Sequence, residues 1–353
     1  MADRPETDAW PPYQPPSRPY PSAASPPPAG VVPAPPGTPF HRLARTPLHR
    51  WWRPLAGTLF IAALTVVAAT AILFLADLAR PMTDPVTPFG DVGAAHVGEA
   101  TRVLALNLAM LSLLTPIVLV AARVVQRRPA GSVLSVAGRV RWRWLFTCCG
   151  IAIGYCIASL VLSYVTWAIF DGDEPVEAAG QWPGWTDFLV PAAVILLLVP
   201  LQATAEEVAF RGWLLQGIAA WAPRGRPGSA VPRVAGVLLR APWVAIVVSA
   251  ALFTSVHGYT GWALLNIFCF GALAGWLAIR TGGLEASIAL HVFTNVLGLL
   301  LLAASGQMSQ ALEQGAAPWT SVLASMLALA LYALVVVRVA RRRQVPAVSP
   351  VAQ

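Results

Sequence analysis

Apolar residues run through this chain in unbroken blocks, most of them about twenty long, parted by short stretches rich in Arg, Asp, Gly and Pro. Neither the two-residue alternation of a half-buried strand nor the stripe of a soluble amphipathic helix organises them. Such blocks predict membrane-spanning helices, since about 20 residues at 1.5 Å rise cross the hydrocarbon core. They lie near Leu55 to Ala76, Val103 to Ala122, Trp144 to Phe170, Phe188 to Trp221, Trp243 to Val256, Trp262 to Ile279, Leu284 to Ala304 and Trp319 to Val337. The fold class is all-α: a polytopic membrane bundle of about eight transmembrane helices. The first block follows a long polar segment rather than a short basic leader, so it reads as a spanning helix and not a cleaved signal peptide.

Composition agrees, with 57% hydrophobic and 11% charged residues, where a soluble domain carries about 25% charged. The net charge is +8 and every cationic residue is arginine. Their positions show what the charge does. Arg42, Arg45, Arg50 and Arg53 precede the first block, Arg123, Arg127, Arg128, Arg139, Arg141 and Arg143 follow the second, Arg224, Arg226, Arg233 and Arg240 follow the fourth, and Arg338 and Arg341 to Arg343 close the last. The intervening loops carry Asp84, Asp91, Glu99, Asp171, Asp173, Glu174 and Glu177 instead. By the positive-inside rule this is a multi-pass protein of the cell membrane with both termini cytoplasmic, its arginines facing membrane lipid rather than nucleic acid. "VRWRW" at 140 to 144 reads as an interfacial anchor.

Residues 1–50 read as a disordered Pro-rich cytoplasmic tail, too poor in apolar residues to offset the entropy of ordering. Residues 51–184 hold three N-terminal helices, 185–305 a core, 306–340 the final helix and 341–353 a basic tail. Cys148, Cys149, Cys156 and Cys269 form no metal or redox motif and read as reduced packing residues.

The core contains "QATAEEVAFRGWLLQG", two glutamates and an arginine inside an apolar block. Each ionisable residue at membrane depth costs about 2.5–3.5 kcal/mol, so the group must pair or line a wet site. Glu207 and Arg211, four apart with the acid first, share a helix face and form a pair. Glu206 points about 100° away without a local cation, and is the carboxylate left for chemistry. Pro200 removes a backbone hydrogen bond and predicts a kink near the site. Later blocks add "FTSVH", with Phe253 and His257 on one face, and "HVFTN", with His291 and Asn295 on one face. An imidazole beside a carboxylate can hold a water, act as base or ligate metal, and a carboxamide can donate to an oxyanion. Hydrogen-bond glue between helices is the competing reading of each residue alone.

Together, "EEVAFR", "FTSVH" and "HVFTN" resemble the ordered EExxxR, FxxxH and HxxxN motifs of the CPBP family, the type II CAAX prenyl endopeptidases and their bacterial relatives. The likeness covers roughly residues 185–305. It implies an intramembrane endopeptidase that hydrolyses a peptide bond of a membrane-associated protein or peptide, with a cavity open towards the cytoplasm. Carried across, Glu206 activates the attacking water with His257 holding it, Glu207 and Arg211 form the supporting pair, and His291 and Asn295 stabilise the oxyanion. No cofactor is implied with certainty. A Glu206, His257 and His291 set binds zinc only if three helices converge, which leaves a metalloprotease and a metal-free glutamate mechanism both open. The arginine-only, alanine-rich composition suggests a bacterial genome, where prenylated substrates are not expected. The alternative is a non-catalytic peptide-binding or immunity membrane protein that keeps the pocket without needing Glu206. The sequence sets no oligomeric state.

Overall fold

A computed structural model describes residues 30–78, 97–170, 172, 180–222 and 241–350. The helices are α1 (Arg53–Leu78), α2 (Val97–Ser112), α3 (Leu114–Val124), α4 (Trp142–Phe170), α5 (Trp185–Glu207), a π-helical segment (Val208–Leu214), α6 (Leu215–Ala220), α7 (Pro242–Ser255), α8 (Gly261–Thr281), α9 (Glu285–Ala304) and α10 (Trp319–Arg342). No β-strand occurs among the described residues. The bundle is therefore all-helical, as its hydrophobic blocks require.

Two elements depart from the simple pattern. The second block breaks at Leu113 into α2 and α3; Pro116 has no N–H to offer the Ser112 carbonyl, so the ladder is interrupted one turn ahead of it. The fifth block is not a full span. Among the described residues seven helices are long and apolar enough to cross a membrane, whereas Pro242–Ser255 is shorter; its 14 residues rise about 21 Å, against a hydrocarbon core of about 30 Å. The count of eight passages is kept, because the described stretch before α1 meets the one after α10. Pro39 pairs with Val348 in an antiparallel bridge, the Gly37 amide donates to the Ser349 carbonyl and the Ser349 amide to the Thr38 carbonyl. Two flanking stretches on one side of the bundle require an even number of passages between them, and α7 with its following turn supplies the eighth.

The tail expected to be disordered over residues 1–50 is packed in its second half. Residues 1–29 lie outside the described residues, but Phe40, Leu43, Ala44 and Leu48 are buried. Phe40 joins Val133, Trp213 and Leu284 in one cluster. Proline content masked these few apolar anchors. His41 is buried beside them, and burial together with Arg42 pushes its imidazole down to about 3.

α1 lies against the π-helical segment through Gly57, whose missing side chain makes room for the Trp213 ring, while the Trp213 indole N–H donates to Thr58 Oγ1 at 2.9 Å. α5 packs between α2 and α9, and α4 between α9 and α10. At the end where these two stretches meet, Arg141 clamps the first residue of α9: its Nε and Nη2 donate to the two Glu285 carboxylate oxygens at 2.8 and 2.6 Å, and its own amide donates to Oε1 at 2.9 Å. Arg141 Nη1 also reaches the Pro346 carbonyl, so the helix start, the α3–α4 connection and the C-terminal segment are tied together. Trp51, Trp52 and Trp142 are exposed at this end, and Trp182, Trp185, Trp262 and Trp319 at the other, the placement expected of two interfacial belts.

Glu285→Gln breaks this clamp, and because Arg141 retains 13% side-chain exposure while Glu285 has 2%, the expected loss is about 2–4 kcal/mol, near the low end for a broken buried pair. Denaturant unfolding in detergent micelles measures it; an unchanged midpoint would show that the clamp contributes nothing.

Candidate functional site

Glu206 and Glu207 are the last residues of α5, immediately before the backbone widens into the π-helical turn at Val208–Leu214. α5 continues through Pro191 and Pro200 as one helix. Further along, the ladder shifts to i→i+5 at Val208–Leu214, a feature that concentrates at functional sites. Despite the wider turn, Arg211 Nη1 donates to Glu207 Oε1 at 2.8 Å, with side-chain exposures of 1% and 0%. The four-residue spacing read from the sequence is thus realised as a fully buried ion pair. The guanidinium also lies 4.2 Å from the Phe253 ring centroid and donates from Nη2 to the Gly271 carbonyl at 3.4 Å. Gly271 leaves space for that approach, for a Cβ there would stand 3.3 Å from Nη2.

His291, on α9, joins the two glutamates. Its Nδ1 lies 3.0 Å from Glu207 Oε1 and its Nε2 lies 3.5 Å from Glu206 Oε2. Glu207 is a carboxylate already held by Arg211, so it can only accept, which fixes the Nδ1–H tautomer and turns Nε2 towards Glu206. Two aromatic rings set the imidazole plane edge-on, Phe253 at 5.9 Å and Phe270 at 5.2 Å between centroids. His291 is therefore gripped on several sides, as a group meant to hold one orientation should be.

Glu206 differs from its neighbour. Gln202, one turn earlier, donates from Nε2 to Glu206 Oε1 at 2.6 Å, while Glu206 Oε2 has no hydrogen-bond partner. Gln202 Oε1, Glu207 Oε2 and Arg211 Nε are likewise buried without partners. Sequence reasoning passed over Gln202; its one signal was a polar residue at four-residue spacing before Glu206 in an apolar helix. Ser249 of α7 donates to the Phe210 carbonyl at 2.8 Å, another polar tie that no motif announced.

His257 sits just beyond the end of α7, with its ring centroid 4.6 Å from Phe253 and its Nδ1 2.7 Å from the Phe253 carbonyl. The Phe-to-His spacing thus survives although the helix stops at Ser255. The two histidines lie against the same phenylalanine. Tyr259 stacks on His257 at 6.0 Å. The 256–260 turn is tied to the α9–α10 connection, with the Gly258 amide donating to Gln314 Oε1 and the Thr260 amide to the Gly315 carbonyl. Asn295, one turn past His291 on α9, is half-buried.

Zinc was expected only if Glu206, His257 and His291 converge. Among the described residues no group of three or more His, Cys, Asp or Glu side chains could hold a metal ion. His257 turns its Nδ1 to a backbone carbonyl instead. The cysteines Cys148, Cys149, Cys156 and Cys269 are free. Asp84, Asp91, Asp171, Asp173, Glu174, Glu177, Arg224, Arg226, Arg233 and Arg240 lie outside the described residues.

Residues 188–297, from early α5 to mid α9, match the Rce1-like family model, type II CAAX prenyl endopeptidase Rce1-like. The Rce1-like match encloses every site residue above and points to a protease, a hydrolase. The chain is also similar, at 26% identity over 252 residues covering 69% of this chain and 76% of the relative, to the uncharacterized protein YyaK of Bacillus subtilis (strain 168). No solved structure matches.

The two adjacent glutamates should respond oppositely to the same isosteric change. Glu207→Gln strands a buried guanidinium and is expected to cost about 3–5 kcal/mol, whereas Glu206→Gln, which strands no ion pair, should stay within about 1 kcal/mol of wild type. Parallel denaturant titrations in one detergent decide this; equal losses would mean that both acids serve the fold.

Proposed function

We propose that the protein is an intramembrane endopeptidase of the bacterial cell membrane that hydrolyses a peptide bond with a water activated by Glu206. The observation that carries this reading is the facing of Glu206 Oε2, a buried acceptor without a partner, and His291 Nε2 across 3.5 Å. That gap is longer than a direct hydrogen bond of about 2.7–3.2 Å, so neither atom bonds the other, and a slight parting of the two side chains lets both accept from one water. Such a water donates one proton to Glu206 and the other to His291, which leaves an oxygen lone pair for the scissile carbonyl. As the carbon–oxygen bond forms, Glu206 takes the proton, and it returns it to the amine nitrogen when the carbon–nitrogen bond breaks.

The role of His291 moves with this geometry. The family likeness assigned it to the oxyanion; its distances favour the water, with Glu207 and Arg211 fixing its ring. Asn295 keeps the oxyanion role, as a half-buried amide one turn away with N–H groups to donate. His257 donates Nδ1–H to the Phe253 carbonyl, so its Nε2 is an acceptor, fit to help hold the water or the departing amine. Gln202 positions Glu206. The substrate class is a membrane-associated protein or peptide, and nothing in the site selects a prenyl group.

Glu206→Gln and His291→Ala are each expected to lower hydrolysis by about 10²–10⁴-fold, the usual contribution of a positioned acid–base group. Peptide termini that appear in membranes of cells expressing wild type, and vanish with either variant, are the expected readout. Termini that persist in Glu206→Gln cells remove the glutamate mechanism, and a cellular phenotype retained by Glu206→Gln with no termini at all establishes the peptide-binding alternative.

A further inference from the structure

Residues 125–141, the connection between α3 and α4, lie outside the family match and carry none of the site residues. They nevertheless touch both halves of the site. Towards the π-helical segment and α6, Gln216 donates from Nε2 to the Ser132 carbonyl at 3.1 Å. Gly212 lies so close to the Val133 carbonyl that a Cβ would stand 2.5 Å from its oxygen. Towards α9, the Val136 amide donates to the Gly282 carbonyl at 2.8 Å and the Leu284 amide to the Leu134 carbonyl at 2.9 Å, while Ser135 bridges Gly283. Gly212 comes six residues after Glu206, and His291 seven after Leu284. The connection is thus docked on both arms that face each other across the Glu206–His291 gap.

Arg128 fixes the shape of this connection. It is wholly buried, and among the described residues its hydrogen bonds all go to neutral oxygens. Nε donates to Gln126 Oε1 at 2.6 Å, and Nη1 to Ser132 Oγ at 3.0 Å and to Gln216 Oε1 at 2.5 Å. The guanidinium also lies 6.0 Å from the Trp213 ring centroid. Burial pushes it down to about 9, so it stays charged at neutral pH. Its Nη2 and Gln126 Nε2 remain buried without a partner. A buried cation compensated by no carboxylate is a poor source of stability. What it supplies is a rigid planar fork that joins Gln126 and Ser132 of the connection to Gln216 of α6. We infer that Arg128 is a positioning residue, which locks the 125–141 connection and thereby sets the separation of Glu206 from His291. The inference rests on the endopeptidase reading for what that separation serves. Small shifts matter there, since a misplacement of about 1 Å by a distant substitution can cost about 10²-fold in rate.

The test reads geometry apart from hydrolysis. Wild type, Arg128→Gln and Gly212→Ala are prepared in detergent micelles with ring-nitrogen-labelled histidine, and the His291 resonances are assigned by their loss in His291→Ala. Wild type is expected to show one protonated and one bare ring nitrogen, the Nδ1–H form that Glu207 selects. In folded Arg128→Gln both resonances should move towards their mean, and release of the peptide termini seen with wild type should fall about 10²-fold. Gly212→Ala forces the same two elements apart with Arg128 intact, and repeats the reading if Arg128→Gln fails to fold. Unmoved His291 resonances in the folded variant, resonances already averaged in wild type, or failure of both variants to fold each overturn the proposal and leave the connection a role in folding alone. Wild type that shows the expected resonances but releases no termini removes the endopeptidase reading and leaves the positioning of the pair standing.

Discussion

A single buried carboxylate organises the centre of this bundle. Glu207 has no exposed surface and accepts, on one oxygen, from Arg211 of its own helix and from His291 of α9. An ionised acid at that depth is tolerated only because both partners are present and fixed. Each constraint propagates outward. Arg211 must lie where the π-helical turn leaves it, against Phe253 and the Gly271 carbonyl, which draws α7 and α8 to the same point. His291 must present Nδ1 to Glu207, which leaves Nε2 for Glu206. The pairing that satisfies a buried charge also aims the imidazole.

Two identical residues side by side thus acquire different chemistry from geometry alone. Glu207 is consumed by structure; Glu206 has one oxygen held by Gln202 and the other without a partner. A carboxylate held at one oxygen keeps its direction and still has a basic lone pair to offer. Had Gln202 been apolar, Glu206 could rotate away from His291. The carboxamide sets the angle at which a water would meet both groups.

The legible parts were those governed by spacing along one helix. The Glu207–Arg211 pair followed from four-residue periodicity, and the contact of Phe253 with His257 followed even though the helix ends between them. Contacts between helices were not legible, since no local rule joins Glu207 to His291 across 84 residues; the ordered motifs only marked which helices would meet. The π-helical turn had no sequence signature, because any apolar run can carry an i→i+5 step when tertiary contacts favour it. The packing of residues 38–50 was hidden for a different reason. Composition averaged Phe40, Leu43 and Leu48 with the prolines and arginines around them, whereas burial depends on those few side chains individually.

The short α7 gathers these threads. A full-length helix from Pro242 would end about 9 Å beyond where this one stops. Ending at Ser255, it leaves His257 within a ring's width of Phe253, the same ring that Arg211 caps and His291 abuts. The freed backbone of the 256–260 turn is not left bare, since Gln314 and Gly315 accept from two of its amides. Irregular backbone at such depth is tolerated only where protein or water satisfies it. The connection between α9 and α10 therefore has a definite task, and the break in α7 is the means by which a polar site is placed inside an otherwise apolar bundle.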